Sequence, residues 1–220
     1  MDPLEFNFKH PATIQDSGPT RCGQTWLVRR ILEEQVIQPF ATRIIWVYSE
    51  WQPDYDMIRE RYPEIEFETG WRDEICDSLS PEQRNILVLD DQISVAISSK
   101  SLADLFTRGS HHRNLTVIYL VQNVYNQGKS QRTISLNSHY IVVFCNGRDA
   151  SHFRTMAYQI CSSDGKWLLD AFTDATSKPY GYLVLDHHPS TPEDQKVANN
   201  ILPGEPLTYY IKNHSKFKRY

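Results

Sequence analysis

The sequence has few cysteines, and they are not arranged for a disulfide framework or a metal site. Cys22, Cys76, Cys145 and Cys161 are scattered, with no C-x-x-C pair and no histidine at ligand spacing. This excludes a disulfide scaffold and a zinc site, and favours a reduced intracellular protein. Long apolar runs are also missing, since no stretch approaches the roughly 20 residues of a membrane span. Residues 1–9 carry two acids rather than a secretory signal, so we expect no membrane contact.

The sequence also lacks an excess of positive charge. Its formal net charge is −4, so any contact with nucleic acid must come from a local patch. With 220 residues, 40% of them hydrophobic, the chain can bury one core. We expect a single domain over residues 1–205 and a basic tail over 206–220, which either contacts a phosphate backbone or is simply solvated. The basic residues of the tail are Lys212, Lys216, Lys218 and Arg219.

Short apolar runs alternate with helical patterns along the chain. Continuous apolar strands are typical of a mostly parallel sheet flanked by helices, so we predict an α/β fold. The segment 51–80 is predicted to be the least regular part, and the proline-rich end after Leu185 to be extended and rich in loops. A short amphipathic turn is predicted over 101–106. The predicted strands are 43–48, 86–90, 115–121, 140–144 and 181–185, and the predicted helices are 23–36, 149–160 and 166–175.

Residues 18–25 read GPTRCGQT, which is the phosphate-binding pattern G-x-x-x-x-G-K-[ST] with Gln24 in place of lysine. The glycines allow backbone N–H groups to surround a phosphate, and the hydroxyl of Thr25 is placed to bind magnesium. The missing ammonium is worth roughly 4 kcal/mol per phosphate charge at about 4 Å, so its loss weakens nucleotide binding at least tenfold. Arg21 could replace that charge by folding back. The predicted nucleotide-binding residues are Gly18, Pro19, Thr20, Arg21, Cys22, Gly23, Gln24 and Thr25.

Two further strand ends carry polar side chains suited to nucleotide chemistry. The run Ile86–Asp91 is four apolar residues followed by two carboxylates, of which Asp90 would bind magnesium and Asp91 would polarise a water. The alternative is a turn or a helix cap. Gln122 follows the strand 115–121 and either senses a γ-phosphate or caps the strand. Arg132 or Arg148 would be an arginine finger or part of a structural ion pair.

These features together resemble the DNA-packaging ATPases of Polinton/Maverick elements and related eukaryotic DNA viruses, in the FtsK/HerA branch of the P-loop NTPases. The similarity extends from about residue 8 to about residue 203, and its most specific part is Leu105–Asn137. The motifs that carry it are His10-Pro11, residues 18–25, Leu89-Asp90-Asp91, residues 106–114, Val121-Gln122-Asn123, residues 132–137, Arg148-Asp149 and residues 179–183.

The resemblance implies a RecA-like core that assembles as a ring, hydrolyses ATP with Mg²⁺ and drives duplex DNA into a capsid. It implies partners of three kinds, namely duplex DNA held by its backbone, further copies of the chain, and capsid or portal proteins. The expected location is the cytoplasm or nucleus of a host, or the virion. The implied roles are the nucleotide loop for Gly18, Gly23 and Thr25, magnesium binding for Asp90, catalysis for Asp91 and sensing for Gln122.

The chain departs from this pattern at two places that matter for catalysis. Gln24 replaces the loop lysine, and Gln15-Asp16-Ser17 replace an apolar strand. One alternative is therefore a protein that has lost hydrolysis and binds DNA or a motor partner. A small-molecule kinase is less favoured, because no lid or acceptor motif is present.

The histidine pairs favour polar loops over a metal site, with His111-His112-Arg113 close to a ring pore or a subunit boundary, and nearby basic residues are candidates for DNA phosphate contacts. The pairs His111-His112 and His187-His188 lack the i, i+4 spacing of a helical metal site. Phosphate contacts would be salt-dependent and not sequence-specific. The candidates are Arg108, His112, Arg113, Lys129 and Arg132.

Overall fold

The computed structural model describes residues 5–91, 100–106, 112–122, 134–146 and 150–212. Eleven strands lie in the described residues. They are β1 Phe8–Lys9, β2 Thr13–Ser17, β3 Ile37–Gln38, β4 Arg43–Tyr48, β5 Ile65–Thr69, β6 Asn85–Asp90, β7 Leu115–Val121, β8 Tyr140–Phe144, β9 Tyr182–Asp186, β10 Val197–Asn199 and β11 Thr208–Tyr209. The main α-helices of the described residues are α1 Gln24–Glu33, α2 Pro53–Arg61, α3 Asp73–Ser78, α4 Lys100–Asp104, α5 Ala150–Ile160 and α6 Gly165–Ala175.

Nine of the strands form one sheet in the order β11-β10-β9-β8-β2-β7-β6-β4-β5. The six strands from β8 to β5 are parallel, and β9, β10 and β11 continue the sheet in antiparallel pairing. The prediction of a mostly parallel sheet flanked by helices is confirmed. No helix among the described residues combines the length and the apolar character needed to cross a membrane.

Helices cover both faces of the sheet, which is why every residue of β6, β7 and β8 is buried. On one side, here called the α1 face, α1 and α2 pack against the central strands. On the opposite side, α3 and α4 cover β4, β6 and β7, and α5 and α6 cover β8 and β9. The continuous apolar runs in the sequence therefore correctly predicted a sheet that is covered by helices on both faces.

Two segments contain more helix and strand than the sequence predicted. Residues 51–80 contain α2, β5 and α3, so the prediction of an irregular segment is wrong. Helix α2 begins at Pro53, has acids in its first turn and bases in its last, and buries only Tyr55 and Ile58. Its charges lie on an exposed face and obscure the periodicity. The proline-rich end likewise contains β10 and β11.

The described part of the predicted tail, residues 206–212, contributes β11 to the edge of the sheet. Leu207 and Tyr209 pack against the main core cluster. Lys212 forms an ion pair with Asp164 near α6. The other basic residues of the tail lie outside the described residues.

The polar strand β2 is central, between β7 and β8, although its sequence is unlike that of a central strand. All five of its residues are buried. Its polar side chains have partners far away in the sequence: Thr13 Oγ1 donates to the carbonyl of Asn137 (2.8 Å), and Ser135 Oγ donates to Gln15 Oε1 (2.8 Å). Buried polar groups with such partners do not incur the full cost of desolvation.

Candidate nucleotide-binding site

The loop after β2 turns directly into α1. It is anchored by a hydrogen bond from the Gly18 N–H to the carbonyl of Val121 at the end of β7 (3.1 Å), and the Cys22 N–H donates to the carbonyl of Pro19 (3.1 Å). Arg21 and Gly23 have positive φ values of 66° and 108°. The first turn of α1, whose N–H groups lack intrahelical partners, therefore lies at the end of the loop, where an anion would be bound.

Close packing disfavours a larger residue at Gly18, and the backbone conformation disfavours one at Gly23. A Cβ at Gly18 would lie 2.4 Å from Cys22 Sγ and 2.8 Å from Phe144 Cβ. At Gly23 the backbone has a positive φ, and a Cβ would lie 3.3 Å from Cδ1 of Tyr180. Larger residues at either position would displace the loop.

Among residues 18–25, only Arg21 has a charged side chain. Burial raises the pKa of the Cys22 thiol to about 12, so this side chain is neutral at pH 7 and does not repel a phosphate. Thr25 is the second residue of α1 and is half-buried. Pro19 is half-buried, and Thr20 and Arg21 are exposed.

The side chain of Gln24 is bound to the sheet. Its Nε2 donates to the carbonyl of Asp16 (2.9 Å), to the carbonyl of Val121 (3.1 Å) and to Oδ1 of Asp16 (3.3 Å). The residue that replaces the phosphate-binding lysine therefore links the ends of β2 and β7 beneath the loop. We call this set of hydrogen bonds the Gln24 latch.

Asp16 is the acidic partner in the Gln24 latch, and it is 1% exposed. Burial raises its pKa well above the usual value; the hydrogen bond from Gln24 opposes this, and the nearby charge of Asp90 adds to it. Its second oxygen, Oδ2, is buried with no hydrogen-bond partner in the described part of the chain. These surroundings favour the neutral carboxyl. The sequence marked Asp16 as an unusual residue before the loop, but it did not reveal its contact with Gln24.

Asp90 ends β6 and is 6% exposed. The hydroxyl of Tyr55, on α2, donates to Asp90 Oδ2 (2.7 Å). Burial raises the pKa of Asp90 to about 6, the hydrogen bond from Tyr55 lowers it, and the charge of Asp91 raises it. Sequence reasoning missed Tyr55, because it belongs to the segment predicted to be irregular.

Asp90 and the loop lie on the same face and at the same edge of the sheet. Asp90 of β6 and Asp16 of β2 are both paired with Leu120 of β7. Residues paired across a sheet project to the same side, and Leu120 belongs to the core cluster of the α1 face, which also contains Leu27 of α1. Asp16 and Asp90 are therefore about 10 Å apart along one row, at two strand spacings. Because the three strands are parallel, their carboxyl ends bring the loop and Asp90 together.

The other predicted catalytic residues lie at the same edge or outside the described residues. Asp91 is exposed, has a positive φ of 53°, and its carbonyl accepts a hydrogen bond from Ser49 Oγ (2.7 Å). Gln122 directly follows β7 and is exposed. The remaining predicted basic residues Arg108, Lys129, Arg132 and Arg148, as well as His111, lie outside the described residues.

Arg113, a predicted phosphate contact just before β7, lies at the opposite edge of the sheet from the nucleotide loop. His187 and His188 lie at that opposite edge too. Arg113 donates to the carbonyl of Cys76 at α3. His187 and His188 directly follow β9, whose end pairs with the start of β8. No group of three or more potential metal ligands occurs among the described residues.

The fold is similar to those of several solved structures. The genome-packaging NTPase B204 of Sulfolobus turreted icosahedral virus 2, in complex with ATP-γS, matches with a TM-score of 0.55 over 91% of this chain and 97% of that chain, at 12% identity. The chain has a RecA-like P-loop NTPase fold. The sulfate complex of the same protein matches with a TM-score of 0.54 at 14% identity, over 80% of this chain and 92% of that chain.

The DNA-packaging ATPase B204 of Sulfolobus turreted icosahedral virus gives a similar match, with a TM-score of 0.52 and 11% identity over 93% of this chain and 98% of that chain. No protein-family model and no curated protein matches the sequence. At such low identities the likeness shows the RecA-like fold alone. Roles for individual residues must therefore be argued from this chain's own geometry.

In this RecA-like fold, Tyr55 is expected to support Asp90. Tyr55→Phe removes a buried hydrogen bond to the carboxylate oxygen Oδ2 of Asp90, so we expect a loss of about 1 to 2 kcal/mol in the free energy of unfolding. The pKa of Asp90 is expected to rise further. Urea unfolding and an NMR titration of the aspartate carboxyl carbons measure the two effects. The control is Tyr62→Phe, just after the same helix; an equal loss of stability in both variants would contradict the assignment.

Proposed function

We propose that this chain binds Mg²⁺-ATP at residues 18–25 and works as an ATPase of the DNA-packaging type. The observation that carries the proposal is the position of the loop and Asp90 at one edge and on one face of the sheet, with only β7 between their strands. The structural neighbours support it, since B204 is a genome-packaging NTPase whose structure was solved with ATP-γS and with AMP.

The site residues would divide the chemistry among them. Backbone N–H groups of the loop would hold the phosphates, and Thr25 and Asp90 would hold Mg²⁺, which neutralises charge on the β- and γ-phosphates. Asp91 would polarise the attacking water. Gln122, at the end of the intervening strand, would sense the γ-phosphate. Arg132 would stabilise the transition state as an arginine finger, reaching the nucleotide of a neighbouring subunit.

The partners follow from the same proposal. The chain would form a ring of identical subunits, hold duplex DNA by its backbone and act with capsid or portal proteins, in the manner of Polinton/Maverick and related viral packaging ATPases. It would work in the cytoplasm or nucleus of a host, or in the virion. A net charge of −4 means that DNA contacts come from local basic patches, so DNA binding would weaken steeply with salt.

The Gln24 latch favours a second candidate, a P-loop-like subunit that binds DNA or a motor partner without hydrolysis. In this arrangement the amide that replaces the lysine contacts Asp16 and Val121 and contributes no charge to a phosphate. A full ammonium at that position is worth several kcal/mol in the transition state of phosphoryl transfer.

ATP hydrolysis with and without duplex DNA separates the two candidates. We expect turnover that duplex DNA stimulates and that Asp91→Asn lowers at least about 100-fold, because the water loses the carboxylate that polarises it. The control Asp170→Asn, on the exposed side of α6, should keep full activity. A parent protein that binds ATP but shows no turnover with or without DNA would establish the second candidate instead.

A further inference from the structure

Tyr180 is an exposed aromatic residue in contact with the nucleotide loop. It lies in the connection between α6 and β9, and 68% of its surface is exposed. A Cβ at Gly23 would lie 3.3 Å from Tyr180 Cδ1 and 3.7 Å from Tyr180 Cβ. The side chain is therefore next to the loop glycine that begins α1, and it has a large free surface.

The backbone around Tyr180 is fixed in an uncommon conformation. Its φ is 62°, a left-handed value that is unfavourable for a residue with a bulky side chain. The next residue, Gly181, donates its N–H to the carbonyl of Lys178 (3.0 Å), and a Cβ there would lie 2.4 Å from the carbonyl of Ala175. The end of α6 and this tight turn hold the aromatic ring beside the loop, although the ring itself is not part of the core.

Tyr180 lies on the opposite side of the nucleotide loop from Asp90 and Gln122. Tyr182 pairs with Phe144 at the carboxyl end of β8, so Tyr180 lies on the β8 side of β2. Asp90 and Gln122 lie on the other side, at the ends of β6 and β7. A nucleotide whose terminal phosphate points to Asp90 and Gln122 must place its base at the other end of the loop.

We propose that Tyr180 is the platform on which the base of the bound nucleotide stacks, and that the site therefore favours purine nucleoside triphosphates. This inference rests on the proposed nucleotide-binding function of residues 18–25. Stacking on an aromatic ring depends on the size of the base rather than on its hydrogen-bonding pattern. ATP and GTP should then bind with similar affinity, and CTP and UTP more weakly.

Titration calorimetry of ATP and of inorganic triphosphate, both with Mg²⁺, tests the proposal. In Tyr180→Ala the dissociation constant for ATP should rise about tenfold to a hundredfold, while that for triphosphate, which has no base, should change less than about threefold. Tyr180→Phe, which keeps the ring, should bind ATP nearly as well as the parent. The matched control is Tyr158→Ala, an exposed tyrosine near the end of α5.

Two results would refute the role of Tyr180 but not the proposed nucleotide site. One is an unchanged affinity of Tyr180→Ala for ATP. The other is an equal loss of affinity for ATP and triphosphate, which would show that the ring only supports the loop around Gly23. If the parent bound neither ligand, the nucleotide site and this proposal would both be refuted. Thermal melting of each variant confirms that it is folded.

Discussion

Replacing Asp90 with asparagine is expected to weaken the binding of Mg²⁺-ATP strongly and, in the absence of ligand, to stabilise the protein. The pKa of Asp90 is raised to about 6 from an ordinary 3.8 because the carboxylate is buried. At pH 7 the ionised group therefore opposes folding by up to about 3 kcal/mol. An amide keeps the shape and can accept the hydrogen bond from Tyr55, but it has no charge to bind Mg²⁺.

The expected change in stability of Asp90→Asn follows from the cost of the buried charge. After allowing for imperfect pairing of the new amide, we expect Asp90→Asn to gain about 1 to 2 kcal/mol, which is about 3 to 6 °C in melting temperature for a chain of this size. Because the folded-state pKa is raised, the stability contributed by Asp90 is full below about pH 4 and is lost as the pH rises through about 6. The gain in the variant should therefore be present at pH 7 and small at pH 4.

Nucleotide binding should change in the opposite direction. Asp90→Asn should weaken binding of Mg²⁺-ATP at least about 100-fold, since a direct metal ligand is lost. Asp170→Asn, on the exposed side of α6, is the control for stability, because its replacement removes no buried charge. Melting curves at pH 4 and pH 7 with calorimetric titration measure both effects. A destabilised Asp90→Asn that still binds Mg²⁺-ATP normally would contradict the assignment.

Restoring the loop lysine is expected to tighten nucleotide binding only when Asp16 is neutralised as well. In Gln24→Lys the ammonium would replace an amide whose Nε2 lies 3.3 Å from Asp16 Oδ1 and 2.9 Å from the Asp16 carbonyl. A cation there would favour ionised Asp16 and pair with it. The paired charge would be unavailable to a phosphate, so we expect the affinity of this single variant for ATP to change less than about threefold.

The double variant Asp16→Asn/Gln24→Lys removes the competing carboxylate without changing its shape. The ammonium is then free to contact the phosphates, and we expect ATP to bind at least tenfold more tightly than to the parent, since a charge at about 4 Å is worth several kcal/mol. Calorimetry on the parent, both single variants and the double variant gives the coupling energy. An equal gain in Gln24→Lys and in the double variant would show that Asp16 does not hold the ammonium.

Much of the fold was predictable because apolar side chains alone specify it. β4, β6, β7 and β8 are runs of β-branched and aromatic residues, and their bounds agree with the prediction to within one residue. β2 was not predictable as a central strand, since its polar side chains are tolerable only next to residues about 120 positions away, such as Ser135 and Asn137. Local sequence contains no information about such partners.

The candidate site was predictable in its residue types but not in its contacts. The spacing of Gly18, Gly23 and Thr25 predicted a loop that leads into a helix, and the acidic end of β6 predicted its neighbour. The sequence showed that Gln24 is not a lysine, but not that its amide is turned toward Asp16 and Val121. The position of Tyr180 was also hidden, because a positive φ at a tyrosine is set by the turn after α6.

We expect the loop and Asp90 to form one site for a magnesium-bound nucleotide. The decisive measurement is a calorimetric titration of ATP into the parent protein, once with Mg²⁺ and once with EDTA. We predict saturable binding of one ATP per chain with Mg²⁺ and binding at least about tenfold weaker with EDTA, because the phosphates and Asp90 repel each other when no cation neutralises their charge. Absence of binding at millimolar ATP, or equal binding with and without Mg²⁺, would contradict the claim.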